Sequence, residues 1–377
     1  MNREPFQKGS GLVRKRAIIV KFGQIGDVIM AVPAAYALYQ QGFELDWVCG
    51  EAVRPLLECY SWIKVLPVDD RAIFSGNPFQ RIRGICGFWG AVMGRRYDLC
   101  ATLYYDRRFR LLTMPIRAKR KLSLSRESRS SALLPGRRQT DEFIRLLLSR
   151  EDSCVERSTL LIRPDRLPSS PWTSKRVKER IAVVPGGTRN VVGEQPLRRW
   201  PIENYLQITH RLLDRGWEVV LIGGPDDTWV SEKFQALPVT DCIGRLSLPQ
   251  VISAFDDCDA VISHDTGPMH LAGLTQVCLI GIFGPTDPSV FLPRRTFSLG
   301  IWGGQGFACR PCYDGRNFAP CRFNGCMHQV TPELVLRELD QLLCDRNRGL
   351  PAPWRIVFPE PALDANMVSI NAVRPVQ

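Results

Sequence analysis

Between Ile181 and Pro288 a short apolar, β-branched run is followed four times by a turn built of glycine, proline and small polar or acidic residues. Val184 precedes Pro185-Gly186-Gly187-Thr188 and Ile222 precedes Gly223-Gly224-Pro225-Asp226. Ser263 leads to Asp265-Thr266-Gly267, and Phe283 precedes Gly284-Pro285-Thr286-Asp287. Strand-like runs alternating with helical patterns point to a parallel α/β architecture. In such a sheet the turns after the strands gather on one edge, where glycine lets a ligand approach the backbone and proline fixes the turn. Four loops of one kind on one edge predict a nucleotide pocket that draws on Gly187, Thr188 and Asp226. In the third loop, Ala260-Val261-Ile262 form the strand, and Met269, Leu271 and Ala272 open a helix. A helix that starts there offers unpaired N–H groups and a positive dipole end, which suit a phosphate or diphosphate. The plain alternative for Asp265 or Thr266 is an ordinary N-cap.

At 377 residues the chain exceeds what one hydrophobic core organises, so two domains are expected. Strands are predicted at 17–22, 45–48 and 99–103, with a helix at 28–41. Residues 150–174 dissolve into charge, proline and serine, the composition of a linker. A second cycle follows, with strands at 181–184, 218–222, 260–263 and 277–283 and helices at 202–215, 228–236, 249–255 and 269–274. The expected division is 1–165, 175–345 and a Pro- and Val-rich tail at 346–377. Two doubly wound halves of this kind place a central cleft between the carboxyl ends of both sheets.

No apolar stretch reaches the ~20 residues of a membrane span. The basic N-terminus is followed by an apolar run that Lys21 cuts short, too brief for a signal-peptide core, so a cytoplasmic location is expected. The net charge of +12 is concentrated: between Arg107 and Arg138 eleven Lys or Arg residues face Glu127 as the one acid. So one-sided a segment implies an anionic partner, whether phosphorylated lipid, a membrane surface or nucleic acid. Nucleic acid is disfavoured, because no helix-turn-helix, zinc-finger or RNP signature occurs. Nine of the 13 cysteines are scattered, mostly among apolar neighbours, and read as reduced core residues. Cys309, Cys312, Cys321 and Cys326 are spaced C-x2-C-x8-C-x4-C, with His328 behind them. That spacing suits a tetrahedral Zn or Fe ion, and a loop of free thiols is the alternative.

The segments KFGQIGDVIMAVPAAYAL (21–38), PLRRWPIENY (196–205), VVLIGGPDD (219–227), HDTGPMHLAG (264–273) and IGIFGPTDP (280–288), with the CRPCY…CM segment, together resemble the bacterial heptosyltransferases of glycosyltransferase family 9. The resemblance covers roughly 16–343. It implies a GT-B fold, two Rossmann-like domains facing a central cleft, and inverting transfer of heptose from ADP-heptose to the inner core of lipopolysaccharide, with no metal at the reacting centre. By the same resemblance Asp27, after Gly26 in the turn following the first strand, is the general base, where an acidic N-cap is the bland reading. Arg198, where relatives carry Lys, neutralises the leaving phosphates. Asp265, Thr266, Gly267, Met269 and His270 match the donor motif: backbone amides hold the diphosphate, Asp265 meets the sugar hydroxyls, and His270 supports the loop. Asp226 stands where relatives place Glu near the ribose. Relatives that glycosylate autotransporter proteins hold iron on cysteines like the four here. The implied partners are ADP-heptose and lipopolysaccharide core or another anionic glycan, with peripheral contact at the inner membrane and no nucleic acid. Two alternatives remain open, a protein or other polysaccharide as acceptor and a non-catalytic nucleotide-sugar-binding module.

Overall fold

A computed structural model describes residues 14–124, 137–148, 161–172, 178–190, 193–313 and 318–360. They fall into two units. One holds 14–23, 31–124 and 140–148, and the other holds 24–30, 137–139 and the described residues from 161 onward.

Up to residue 148 the elements are β1 (Arg16–Val20), α1 (Ile25–Gln40), β2 (Glu44–Gly50), α2 (Arg54–Leu57), β3 (Ile63–Val68), α3 (Asp70–Ser75), α4 (Pro78–Val92), β4 (Arg96–Thr102), α5 (Arg107–Leu112), β5 (Arg117–Ser123) and α6 (Gln139–Leu148). The first sheet has the order β3-β2-β1-β4-β5 with every pair parallel. Ala17 to Val20 are fully buried, because a central parallel strand is covered on both faces. The chain winds outward from β1 to β3, then crosses to β4. The sequence reading missed β3, α4 and β5. Of the basic run expected only as a charged segment, residues 125–136 lie outside the described residues, and the part before them forms α5 and β5, an edge strand among the described residues whose exposed Arg117, Lys119 and Lys121 oppose further pairing.

The second unit contains β6 (Arg180–Val184), a hairpin of β7 (Arg189–Asn190) and β8 (Gly193–Glu194), α7 (Ile202–Asp214), β9 (Glu218–Leu221), α8 (Thr228–Phe234), β10 (Thr240–Asp241), α9 (Leu248–Asp256), β11 (Ala260–His264), α10 (Gly267–Gly273), β12 (Cys278–Phe283), α11 (Pro288–Phe291), β13 (Ser298–Trp302), α12 (Gly325–His328), α13 (Pro332–Asn347) and β14 (Arg355–Val357). Its main sheet is parallel throughout, ordered β10-β9-β6-β11-β12-β13-β14. Ile181, Val183, Ile262 and Ile280 share one core with Tyr205, Ile208 and Leu339 of the covering helices. Trp200 is sealed into that core and donates its indole N–H to the Val330 carbonyl at 2.8 Å, so the large ring buries no unpaired donor.

Of the stretch expected as a linker, residues 161–172 form no helix or strand, and Arg163 pairs there with Asp256. The expected tail from 346 instead begins with the end of α13 and then supplies β14 to the second sheet. Residues 361–377 lie outside the described residues.

Candidate active site

Both sheets reverse their strand order once, between β1 and β4 and between β6 and β11. Ligands of open α/β sheets bind at such reversals, beyond the carboxyl ends of the strands. In the second unit the two loops at that point are Pro185 to Thr188 after β6 and Asp265 to Gly267 after β11.

They touch directly. The Thr188 amide donates to Thr266 Oγ1 at 3.2 Å, and Gly187 adopts φ of 90°. A β-carbon at Gly187 would collide with Thr266 Oγ1, so only glycine permits this approach. Asp227 fastens the arrangement from the loop after β9: its buried carboxylate accepts from the Gly187 and Gly224 amides, both at 2.7 Å. Arg199 closes the other side, donating to the Gly187 carbonyl at 2.7 and 3.1 Å while its guanidinium lies over Trp229.

Asp265 is buried among three elements. Its Oδ2 accepts from the Thr286 hydroxyl at 2.8 Å and stands 3.5 Å from Arg198 Nη1, and its Oδ1 lies 4.0 Å from His270 Nε2. A buried carboxylate is tolerated because it has these partners. Burial lowers the pKa of His270 and Arg198 lowers it further, whereas Asp265 and Asp27 act in the opposite sense. Asp27 is the third residue of α1 and lies inside its first turn, not at an N-cap. Gly26 packs so tightly on the imidazole that a β-carbon there would stand 2.5 Å from His270 Cδ2, and Ile25 packs against Gly267. Residues 24–30 belong to the second unit, so Asp27, His270, Asp265 and Arg198 form one chain of interacting charges within it.

Other expected residues fall elsewhere. Asp226 is exposed on the turn Pro225–Asp227, outside this network, and its neighbour Asp227 is the buried acid. Met269 is fully buried, with its sulfur directed at Gly281 of β12, so its side chain belongs to the core and not to a ligand surface. Thr188 Oγ1 and Arg198 Nε are buried and find no hydrogen-bond partner among the described residues. Unsatisfied polar atoms on the loops that meet here are available to a polar ligand.

Asp227, Arg199, Thr286 and His264 were not singled out from sequence. Thr286 lies in one of the four loops, and Asp227 follows the predicted Asp226. His264 ends β11 fully buried, with Nδ1 2.9 Å from the Tyr205 hydroxyl. Burial first, then Arg198 and Arg199, pushes its pKa down from 6.5 to about 3. The unfolded chain therefore takes up this proton before the folded one. The stability that neutral His264 contributes is complete above pH 6.5 and is lost as pH falls from 6.5 towards about 3. Between about pH 7.5 and about pH 5.5, urea unfolding of the wild type is expected to lose about 1 kcal/mol more than that of His264→Gln. Equal losses in the two proteins would refute the assignment.

At the corresponding point of the first unit, the Tyr104 hydroxyl accepts from the Phe22 amide at 2.8 Å and the Gly23 amide at 3.4 Å. Buried Lys21 places Nζ over the Tyr104 ring, 4.3 Å from its centroid.

The four clustered cysteines share a neighbourhood. Burial, then the charges of Cys312, Cys321 and Cys309, pushes Cys326 up to about 12, and Cys312 is raised by burial and then by Cys309 and Cys321. They do not form a ligand shell as placed: among the described residues no group of three or more His, Cys, Asp or Glu could hold a metal ion.

Comparison with known proteins identifies this architecture. A solved structure of ADP-heptose lps heptosyltransferase II from E. coli superposes with a TM-score of 0.65 over 88% of this chain and 99% of its own, at 19% identity. The fold is GT-B, two Rossmann-like α/β domains. The family model described as glycosyltransferase family 9 (heptosyltransferase) matches residues 169–317. Lipooligosaccharide heptosyltransferase 2 of Haemophilus influenzae is 27% identical over 45% of the chain and 52% of its own length. The protein of the same name from Haemophilus ducreyi is 23% identical over 87% of the chain and 99% of its own length. Residues 169–317 thus match glycosyltransferase family 9, and over most of its length the chain is similar to a heptosyltransferase.

Proposed function

We propose that this protein transfers heptose from ADP-heptose to a hydroxyl of an anionic glycan, the inner core of lipopolysaccharide, with inversion at the anomeric carbon. Asp27 takes the proton of the acceptor hydroxyl as its oxygen attacks that carbon. The bond from the carbon to the diphosphate oxygen breaks, and ADP leaves with the electron pair. Charge leaves the acceptor and accumulates on the diphosphate, so fixed donors contribute most at the leaving group. Arg198 and the Thr188 hydroxyl are assigned there, with the Thr266 and Gly267 amides beside them. Asp265 holds Arg198 and meets the sugar hydroxyls.

One observation carries the reading. Gly26, the residue before Asp27, packs on the His270 imidazole, which stands 4.0 Å from the carboxylate that pairs with Arg198, so the turn that carries the base adjoins the side chains that hold the cation. The names of the E. coli and Haemophilus relatives supply the sugar, the nucleotide and the lipid acceptor. The test is transfer by the purified protein from ADP-heptose to heptose-deficient lipopolysaccharide core. Product of inverted anomeric configuration is expected. Donor binding without transfer to that core redirects the acceptor to protein or another polysaccharide, and absence of donor binding overturns the reading.

Among the described residues no helix is long and apolar enough to cross a membrane. The proposed location is the cytoplasm, where nucleotide-linked donors are made. A structural Zn or Fe ion on Cys309, Cys312, Cys321 and Cys326 is a separate proposal, with no part in transfer. It requires the thiols to draw together as they deprotonate, and ligation offsets the burial that chiefly raises Cys326 together with the repulsion of its neighbours. Elemental analysis is expected to find about one metal ion per chain, lost in Cys326→Ser. Folded protein that holds no metal dismisses the site.

A further inference from the structure

Helix α4 carries an apolar stripe that no described residue of the first unit covers. Phe79, Ile82, Cys86, Gly90 and Met93, spaced three and four apart, lie on one exposed side, whereas Phe88 and Val92 fill the core on another. The indole N–H of Trp89 donates to the Leu112 carbonyl at 2.9 Å and fastens the helix to the C-terminal end of α5, where Leu111 and, in the turn that follows, Met114 are also exposed. Phe79, Ile82, Met93, Leu111 and Met114 are each between 62% and 77% exposed. Such a run of large apolar side chains in water implies a partner.

The surrounding charge says which kind. From residue 78 to residue 124 there are eleven Lys or Arg residues and two acids, Asp98 and Asp106. Arg83 borders the stripe on α4, Arg81 is exposed elsewhere on the same helix, and Arg110 and Lys121 are exposed on α5 and β5, with Lys121 Nζ donating to the Met114 carbonyl at 2.9 Å. A second copy of the same face would set cations against cations. Nucleic acid would satisfy the cations and leave the apolar side chains in water. A bilayer with anionic headgroups satisfies both, because apolar side chains enter the acyl boundary while arginines remain at the phosphates.

We infer that α4 and the turn after α5 form an interfacial surface that docks the first unit on an anionic phospholipid bilayer. This surface is independent of the donor chemistry proposed above, and its test uses neither donor nor acceptor. Full-length protein is sedimented with phosphatidylcholine vesicles and with vesicles holding about 30% phosphatidylglycerol, at about 0.1 M and about 0.5 M salt. Binding to the anionic vesicles is expected to exceed binding to the neutral ones by about tenfold and to weaken in high salt. The triple variant Phe79→Glu, Ile82→Glu, Met93→Glu should lose about tenfold in binding with an unchanged circular-dichroism spectrum. The variant Arg81→Ser, Arg83→Ser keeps the stripe and should lose only part of the preference for phosphatidylglycerol. Wild-type protein that ignores anionic vesicles overturns the inference, as does a folded triple variant that binds like wild type. So does a wild-type dimer in light scattering that the triple variant dissociates.

Discussion

If the proposed function holds, Asp27→Asn is expected to abolish transfer while donor binding survives: kcat should fall by about a thousandfold, and the dissociation constant for ADP-heptose should stay within about twofold. The substitution is nearly isosteric and keeps the side chain inside the first turn of α1, so Gly26 can still lie against His270. What it removes is a carboxylate able to take the acceptor proton, and a carboxamide has no comparable basicity. Single-turnover assays separate the two effects, because a base acts only once donor and acceptor are both bound. If Asp27→Asn retains more than about one-tenth of wild-type kcat, Asp27 is not the base. A parallel loss of donor affinity would place Asp27 in binding instead.

The second large effect is on stability. Asp265→Ala leaves the Thr286 hydroxyl and the Arg198 guanidinium without the buried acceptor both now use, and withdraws the negative neighbour of His270. Removing one member of a buried charged pair costs about 3 kcal/mol, because the other charge remains unpaired. Thermal unfolding should show a loss of that size, together with weakened donor binding as Arg198 swings free. Asp226→Ala, an exposed neighbour site outside the network, should stay within about 0.5 kcal/mol of wild type. Equal behaviour of the two variants would sink the argument.

Much of the second unit was legible because its strands are central and parallel: runs such as Ile181 to Val184 and Ala260 to Ile262 are apolar on both faces, and the glycine turns mark where they end. The first unit was harder. β5 reads as a charge run because an edge strand spends its side chains on solvent, and β3 carries Pro67, which removes one ladder donor. Helix α4 was missed because its apolar residues are divided between a core side and an exposed side, which blurs the period used to find amphipathic helices. At the site, motif positions placed Asp27, Arg198, Asp265 and His270 in one neighbourhood. They could not distinguish Asp226 from Asp227, adjacent acids on a tight turn of which only one faces inward. The burial of the Met269 side chain was hidden for the same reason: a motif gives position along the chain, whereas the facing of a side chain is decided by what the helix packs on.

The latch formed by Asp227 has a dynamic consequence. One carboxylate secures the amides of Gly187 and Gly224, loops whose anchor lies 40 residues beyond the first of them. Neither loop can open in water by itself without leaving that anchor half-bonded, so the two should breathe as one cooperative patch in hydrogen exchange. The pliancy of the turn after β6 is thus governed from the crossover that follows β9, and evolution could retune the pocket's opening by changing a turn that need never meet a ligand.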